Sequence, residues 1–246
     1  MCTDLTTLQI GTVDIAARTH SPLRQFETGQ GDARNVQRAY LEARRESNYA
    51  IRVRNRSDRR VGLVIAVDGR NVISGQKSHL RASERMYVLG PHQSAVYRGW
   101  RRRSDRVHSF YFTDVHESYA DAWGDRTAMG VIAVAVYEEK HIHRPPLRDR
   151  PAQLARPRSR SRMDAEGTSE PGTGFGAERH APSRVVSFES RHRPAMQYFI
   201  KYEWREELCR KGISRCQHRR NRFWPLDDDR YAWSRDFAPY PPGYRD

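Results

Sequence analysis

The chain has 246 residues, of which 37% are hydrophobic and 30% charged, with a net charge of +14. That length holds one good core, or a core with a smaller second unit, and the charged fraction places part of the chain outside any packed interior. The longest apolar runs, near Val61–Val67 and Val131–Tyr137, are far too short for a membrane-spanning helix, and the odd cysteine count (Cys2, Cys209, Cys216) argues against a disulfide framework.

No apolar stretch follows Met1, so a signal peptide is not expected and a soluble cytoplasmic protein is. The basic residues are 40 Arg against 4 Lys, a ratio that suggests a biased genome composition as much as a selected basic surface. Residues 1–48 carry 6 basic and 6 acidic residues, residues 49–139 carry 15 and 10, residues 140–183 carry 9 and 5, and residues 184–246 carry 14 and 9. The excess is therefore spread over everything after residue 48, which favours general attraction to anionic partners over one basic arm.

Residues 1–48 read as a polar segment. Asp32 is a helix cap, and Val36, Tyr40 and Leu41 stand at helical spacing, predicting a helix over about 32–46. From Tyr49 the period falls to two: Tyr49, Ile51 and Val53 alternate with Arg52 and Arg54. Val61–Val67 is apolar on both faces and reads as a central strand. Asp68-Gly69 follows, a strong hairpin signal because glycine supplies the positive φ of a tight turn. Short strands are then predicted at Val72-Ile73, Arg85–Leu89, Ser94–Trp100, Arg106–Thr113 and Gly130–Glu138. The Asp114–Thr127 connection is the longest, with a helical turn over Ser118–Trp123.

Residues 141–171 mix proline with Arg, Ser and Gly and read as a disordered linker. Residues 172–212 regain structure, with strand composition over Met196–Trp204 passing into a short helix through Leu208. These pieces are too small to form a core alone, so they are expected to complete the sheet of residues 49–140 or cover its edge. Residues 213–246 read as a flexible basic and aromatic tail. The fold class predicted is all-β, mainly an antiparallel β-sandwich with one or two short helices, its jelly-roll or Ig-like topology left open.

No sequence motif fixes a chemistry, and no catalytic residue or cofactor is predicted. His108, Asp114, His116, Glu117, Asp121 and Asp125 bracket the long connection, and such residues ligate metals when they converge, but turn and capping roles fit them equally. Cys209 and Cys216 with His218 lack zinc-ligand spacing. Gly172-Thr173-Gly174-Phe175-Gly176 lacks the strand, helix and Lys-Ser/Thr pair of a phosphate loop. Arg98, Trp100, Arg101, Arg102 and Arg103 set a Trp among arginines, the residue types that hold single-stranded nucleic acid by neutralising phosphates and stacking bases. Solvated charges at a strand end are the plainer account. The run Arg156–Arg162 is similarly arginine-rich.

The pattern Arg52-x-Arg54-Asn55 through Val61–Ser74, with Phe110–Thr113, Ala128–Val136 and Lys201–Cys209, resembles an uncharacterised family of bacterial β-rich proteins with no assigned function. The resemblance covers roughly 49–140 and 172–212. It implies one protein unit and a bacterial cytoplasm, and it carries no activity over. The function expected is a non-enzymatic interaction or structural protein that binds another protein, by sandwich loops or an exposed sheet edge. A nucleic-acid-associated protein and a metal-dependent enzyme at residues 114–125 are the alternatives.

Overall fold

Strands that alternate inward and outward side chains build two open sheets, which face each other across one apolar core. The computed structural model describes residues 6–14, 19–27, 35–140 and 170–214. The strands are β1 (Thr6–Asp14), β2 (Thr19–Pro22), β3 (Gln25–Glu27), β4 (Val36–Ala43), β5 (Asn48–Asn55), β6 (Val61–Val67), β7 (Arg70–Asn71) and β8 (Tyr87–Leu89). After them come β9 (Ser94–Tyr97), β10 (Gly99–Arg101), β11 (Arg106–Asp114), β12 (Val131–Glu138), β13 (Pro171–Thr173), β14 (Glu178–His180) and β15 (Met196–Trp204), and then one helix, α1 (Arg205–Arg210). The first sheet runs β10-β11-β5-β1-β2, with β13 and β14 on β11 and β9 on β5. The second runs β3-β4-β15-β12-β6-β7, with β8 also on β6. The protein is an all-β sandwich.

Register explains the core. On the second sheet Val134 stands opposite both Tyr198 and Ile65, and Ile132 opposite both Ile200 and Val67. These pairs meet Tyr49, Ile51, Val53, Phe110 and Phe112 of the first sheet. Tyr49 stacks on Phe112 at 4.2 Å and on Phe110 at 5.2 Å. Strand β6 is buried throughout because its other face is covered too: Val64 packs with Ala135 and Tyr137 beneath Leu80, Ala82 and Met86 of the β7–β8 connection. Asp68 (φ 48°) and Gly69 (φ 76°) both take left-handed backbone, as the tightest hairpin turns require.

The helix expected over 32–46 is strand β4. Its residues pair in parallel with β15, Leu41 opposite Tyr202 and Ala43 opposite Trp204, and this is the one parallel pair among the described strands. Ala39, Leu41 and Ala43 lie at period two toward the core, so ladder bonds and burial override the local helical spacing. The N-terminal segment read as irregular also supplies β1, β2 and β3. Strand β15 sits between β4 and β12, near the middle of its sheet. Val72, predicted as a strand residue, lies just past β7 in a turn, its N–H bonded to the Ile65 carbonyl at 3.0 Å. The linker expected over 141–171 lies outside the described residues up to 169, where β13 takes over at 171, and the tail expected over 213–246 lies outside them from 215. Among the described residues no helix is long and apolar enough to cross a membrane.

Candidate binding groove

The chain passes from the second sheet to the first at Gly90–Gln93, where β8 leaves β6 and β9 joins β5. Asn55 fixes this corner: its Nδ2 donates to the carbonyls of Arg59 (2.6 Å) and Gly90 (2.8 Å). β8 and β9, which belong to different sheets, form one wall of a groove of about 1400 Å³. Tyr87 of β8 stacks on Tyr97 of β9 at 4.3 Å. The far wall is the segment 181–188.

That segment is held at both ends. Ala181 and Ser183 donate through their N–H groups to Asp105 and Ser104, each at 2.7 Å, and Arg101 Nη1 donates to the Ala181 carbonyl. At the other end Arg60 Nη2 donates to the Ser187 carbonyl at 2.9 Å, and the Lys140 N–H donates to Glu189 O at 2.7 Å. Phe188 packs where a Cβ on Gly62 would sit, so glycine at 62 is what admits it.

The groove is strongly basic. Arg60, Arg85, Arg98, Arg101, Arg103 and Arg184 line it, against the single carboxylate of Glu84. The Glu84 carboxylate is taken up by internal donors: it accepts from Ser78 Oγ (2.6 Å), the N–H groups of His79 and Arg81, and Asn71 Nδ2. Partial burial raises its pKa, but these donors outweigh the burial and hold it below the usual glutamate value. Arg60 pairs with Glu139 at 2.7 Å. Arg101 bonds carbonyls and the Tyr87 hydroxyl. Arg85, Arg98, Arg103 and Arg184 are exposed and form no ion pair among the described residues.

The arginines singled out in sequence therefore divide. Arg98, Arg101 and Arg103 line the groove, while Arg102 lies with Arg103 at a separate pocket of about 300 Å³ shared with Asp105, Arg106, His108 and Glu178. Trp100 is 2% exposed, donates its indole N–H to Gly174 O at 3.1 Å, and packs on Phe110 and Tyr119. A ring so enclosed has no face for a base, because β10 alternation turns it into the core as it turns Arg101 out.

The long connection does not gather its ligating residues. Asp114 pairs with Arg45, Glu117 accepts from Thr113, Asp121 pairs with Arg126, and Asp125 accepts from Thr127 and pairs with Lys77. His108 Nδ1 lies 2.8 Å from the Gly176 carbonyl. Among the described residues no group of three or more His, Cys, Asp or Glu side chains stands close enough to hold a metal ion. The connection instead carries aromatic rings: His108 stacks on Phe175, Phe175 on Tyr119, and Trp123, 61% exposed, lies over the Arg70 guanidinium. Cys209 is disulfide-bonded, against the expectation from the odd cysteine count; the other two cysteines, Cys2 and Cys216, lie outside the described residues, as do His218 and the Arg156–Arg162 run.

One charged group was missed. Asp68, read from sequence as a turn residue, is completely buried and joins the two sheets. Its carboxylate accepts from the Gly130 N–H (2.9 Å), the Thr173 N–H (2.7 Å) and the Tyr202 hydroxyl (2.5 Å). The Tyr202 O–H is committed to the bond to Asp68, so its oxygen accepts from Thr173 Oγ1 at 2.8 Å, and Thr173 Oγ1 in turn accepts from the Tyr49 hydroxyl at 2.8 Å. Burial pushes Asp68 up from 3.8 to about 6, partly offset by these donors. Burial, and then the neighbouring Asp68 charge, push Tyr49 and Tyr202 well above the usual phenol value. Nothing of this network is open to a ligand.

No family model matches the chain, and neither does any curated protein or solved structure.

Proposed function

We propose that this protein is a non-enzymatic binding module that takes an anionic segment of another polypeptide into the groove lined by β8, β9 and residues 181–188. The observation that carries this reading is a groove lined by six arginines, four of them without an ion pair among the described residues, with its one carboxylate taken up by internal donors. Unpaired exposed arginines in a concavity raise the local concentration of anions and suit carboxylate partners through paired N–H donors. A protein partner fits better than single-stranded nucleic acid, because base stacking needs an aromatic face. Tyr87 has Tyr97 at 4.3 Å on its ring and the Arg101 guanidinium 5.7 Å from its centre, and Trp100 is enclosed. The resemblance noted in sequence supports a bacterial cytoplasmic setting, and the disulfide at Cys209 weighs against it, since cytosolic thiols are held reduced.

Fluorescence anisotropy with a labelled oligoglutamate peptide and with oligothymidylate tests the reading. The peptide is expected to bind, and the Arg98→Glu/Arg103→Glu double variant to weaken it by about tenfold or more. Tighter, equally arginine-dependent binding of oligothymidylate moves the partner to nucleic acid. Binding of neither overturns the groove as a site.

A further inference from the structure

The segment Ala181–Glu189 runs without helix, turn or bend, and none of its residues has a positive φ. With no bend anywhere along it, the run goes straight from one anchor to the other. Between its anchors at Ser183 and Ser187, the N–H and C=O groups of Arg184, Val185 and Val186 make no hydrogen bond within the described protein. Val185 is 93% exposed and Val186 40%, two of the four large exposed hydrophobic residues among those described. Adjacent valines suit a strand, and here they stand on an extended segment with no strand beside it. Anchoring at both ends keeps the ordering cost of a new ladder low, because the strand is already straight.

We propose that Arg184–Val186 is a pairing strand: an extended acidic segment of a partner protein adds to it through main-chain hydrogen bonds and lays alternate carboxylates toward the groove arginines. This rests on the groove reading above and names the partner's form, a strand with acidic residues at every second position. Charge decides between occupants. A second copy of this chain would bring its own Arg184 and groove arginines against these, which like-charge repulsion opposes, whereas an alternating acidic strand is complementary.

The probe is a labelled alternating Glu-Val peptide, with a copy N-methylated along one edge and another along the other. On the protein side, Val185→Pro and Val186→Pro each remove one N–H, from opposite edges of the strand, and Val185→Ala and Val186→Ala are their controls. Neither valine is buried, so the fold is expected to persist, as urea unfolding will report. One proline variant and one methylated peptide are expected to weaken binding by about tenfold or more, with both alanine variants within about twofold of wild type. If the methylated peptides bind as well as the plain one and neither proline variant weakens it, strand pairing is overturned. Oligoglutamate binding lost in Arg98→Glu/Arg103→Glu would still leave the groove reading standing. If neither Glu-Val nor oligoglutamate peptide binds, both fall. Concentration-dependent dimerisation of the wild type that Val185→Pro or Val186→Pro abolishes would make the occupant a second copy and overturn the proposal.

Discussion

Two charged regions of this protein behave in opposite ways. Asp68 is wholly buried, with three donors on its carboxylate and two further hydroxyls ordered behind it. The groove arginines Arg85, Arg98, Arg103 and Arg184 are exposed and have no ion pair among the described residues. A charge whose partners are all internal holds the fold together. A cluster of like charges with none inside the protein needs its partners from outside. The difference lies in solvation. An unpaired carboxylate in the core would cost several kcal/mol, of order 3–5, whereas an exposed arginine keeps its water until a ligand replaces it.

The contrast breaks most visibly at Asp68. Asp68→Ala strands the Gly130 and Thr173 N–H groups and the Tyr202 hydroxyl in the core, and is expected to destabilise the protein by about 3–5 kcal/mol in urea unfolding. A loss below about 1 kcal/mol would mean the network is not what joins the sheets.

Acidity tests the same site without a cavity. The folded carboxyl titrates near 6 and the unfolded one near 3.8, so between those values the folded state binds more protons. Stability from this group therefore falls as pH rises through that window and is fully regained below 3.8. The difference corresponds to about 3 kcal/mol. Glu84 and Asp125 act in the other direction, since their lowered values make acidification cost stability. Comparing wild type with Asp68→Asn from pH 7 to pH 4 isolates the Asp68 contribution: the wild type should gain on its variant as pH falls. A constant difference would remove Asp68 as the titrating group.

The smallest effect on stability is expected at the groove. Arg98→Glu/Arg103→Glu should leave the unfolding free energy within about 0.5 kcal/mol per site, because neither side chain has an internal partner to lose. A loss comparable to that of Asp68→Ala would place these arginines in the fold and erase the contrast.

How much was legible follows from periodicity. β5, β6, β11, β12 and β15 were marked by alternating or continuous runs of apolar and aromatic residues, and the short helix expected through Leu208 is α1. β4 was misread because Val36, Tyr40 and Leu41 do stand at helical spacing. Its alternate residues Ala39, Leu41 and Ala43 are small or isolated enough to leave a weak period-two signal. The arginine tract was visible but its division was not. Only the pairing of β10 with β11 shows that Trp100 points inward and that Arg101 reaches the Ala181 carbonyl.

The sequence by itself determined the main strand runs after residue 48, the Asp68-Gly69 turn and the sign of the charge, since these depend on neighbours within a few residues. Tertiary structure decided that Asp68 is a buried acid between two sheets, that β8 and β9 line a basic groove, and that Arg184–Val186 lines it with no main-chain hydrogen bond among the described residues. Those properties depend on residues far apart in the chain, Asp68 with Thr173 and Arg101 with Ala181 among them, and no local pattern encodes which distant segment will supply the missing donor.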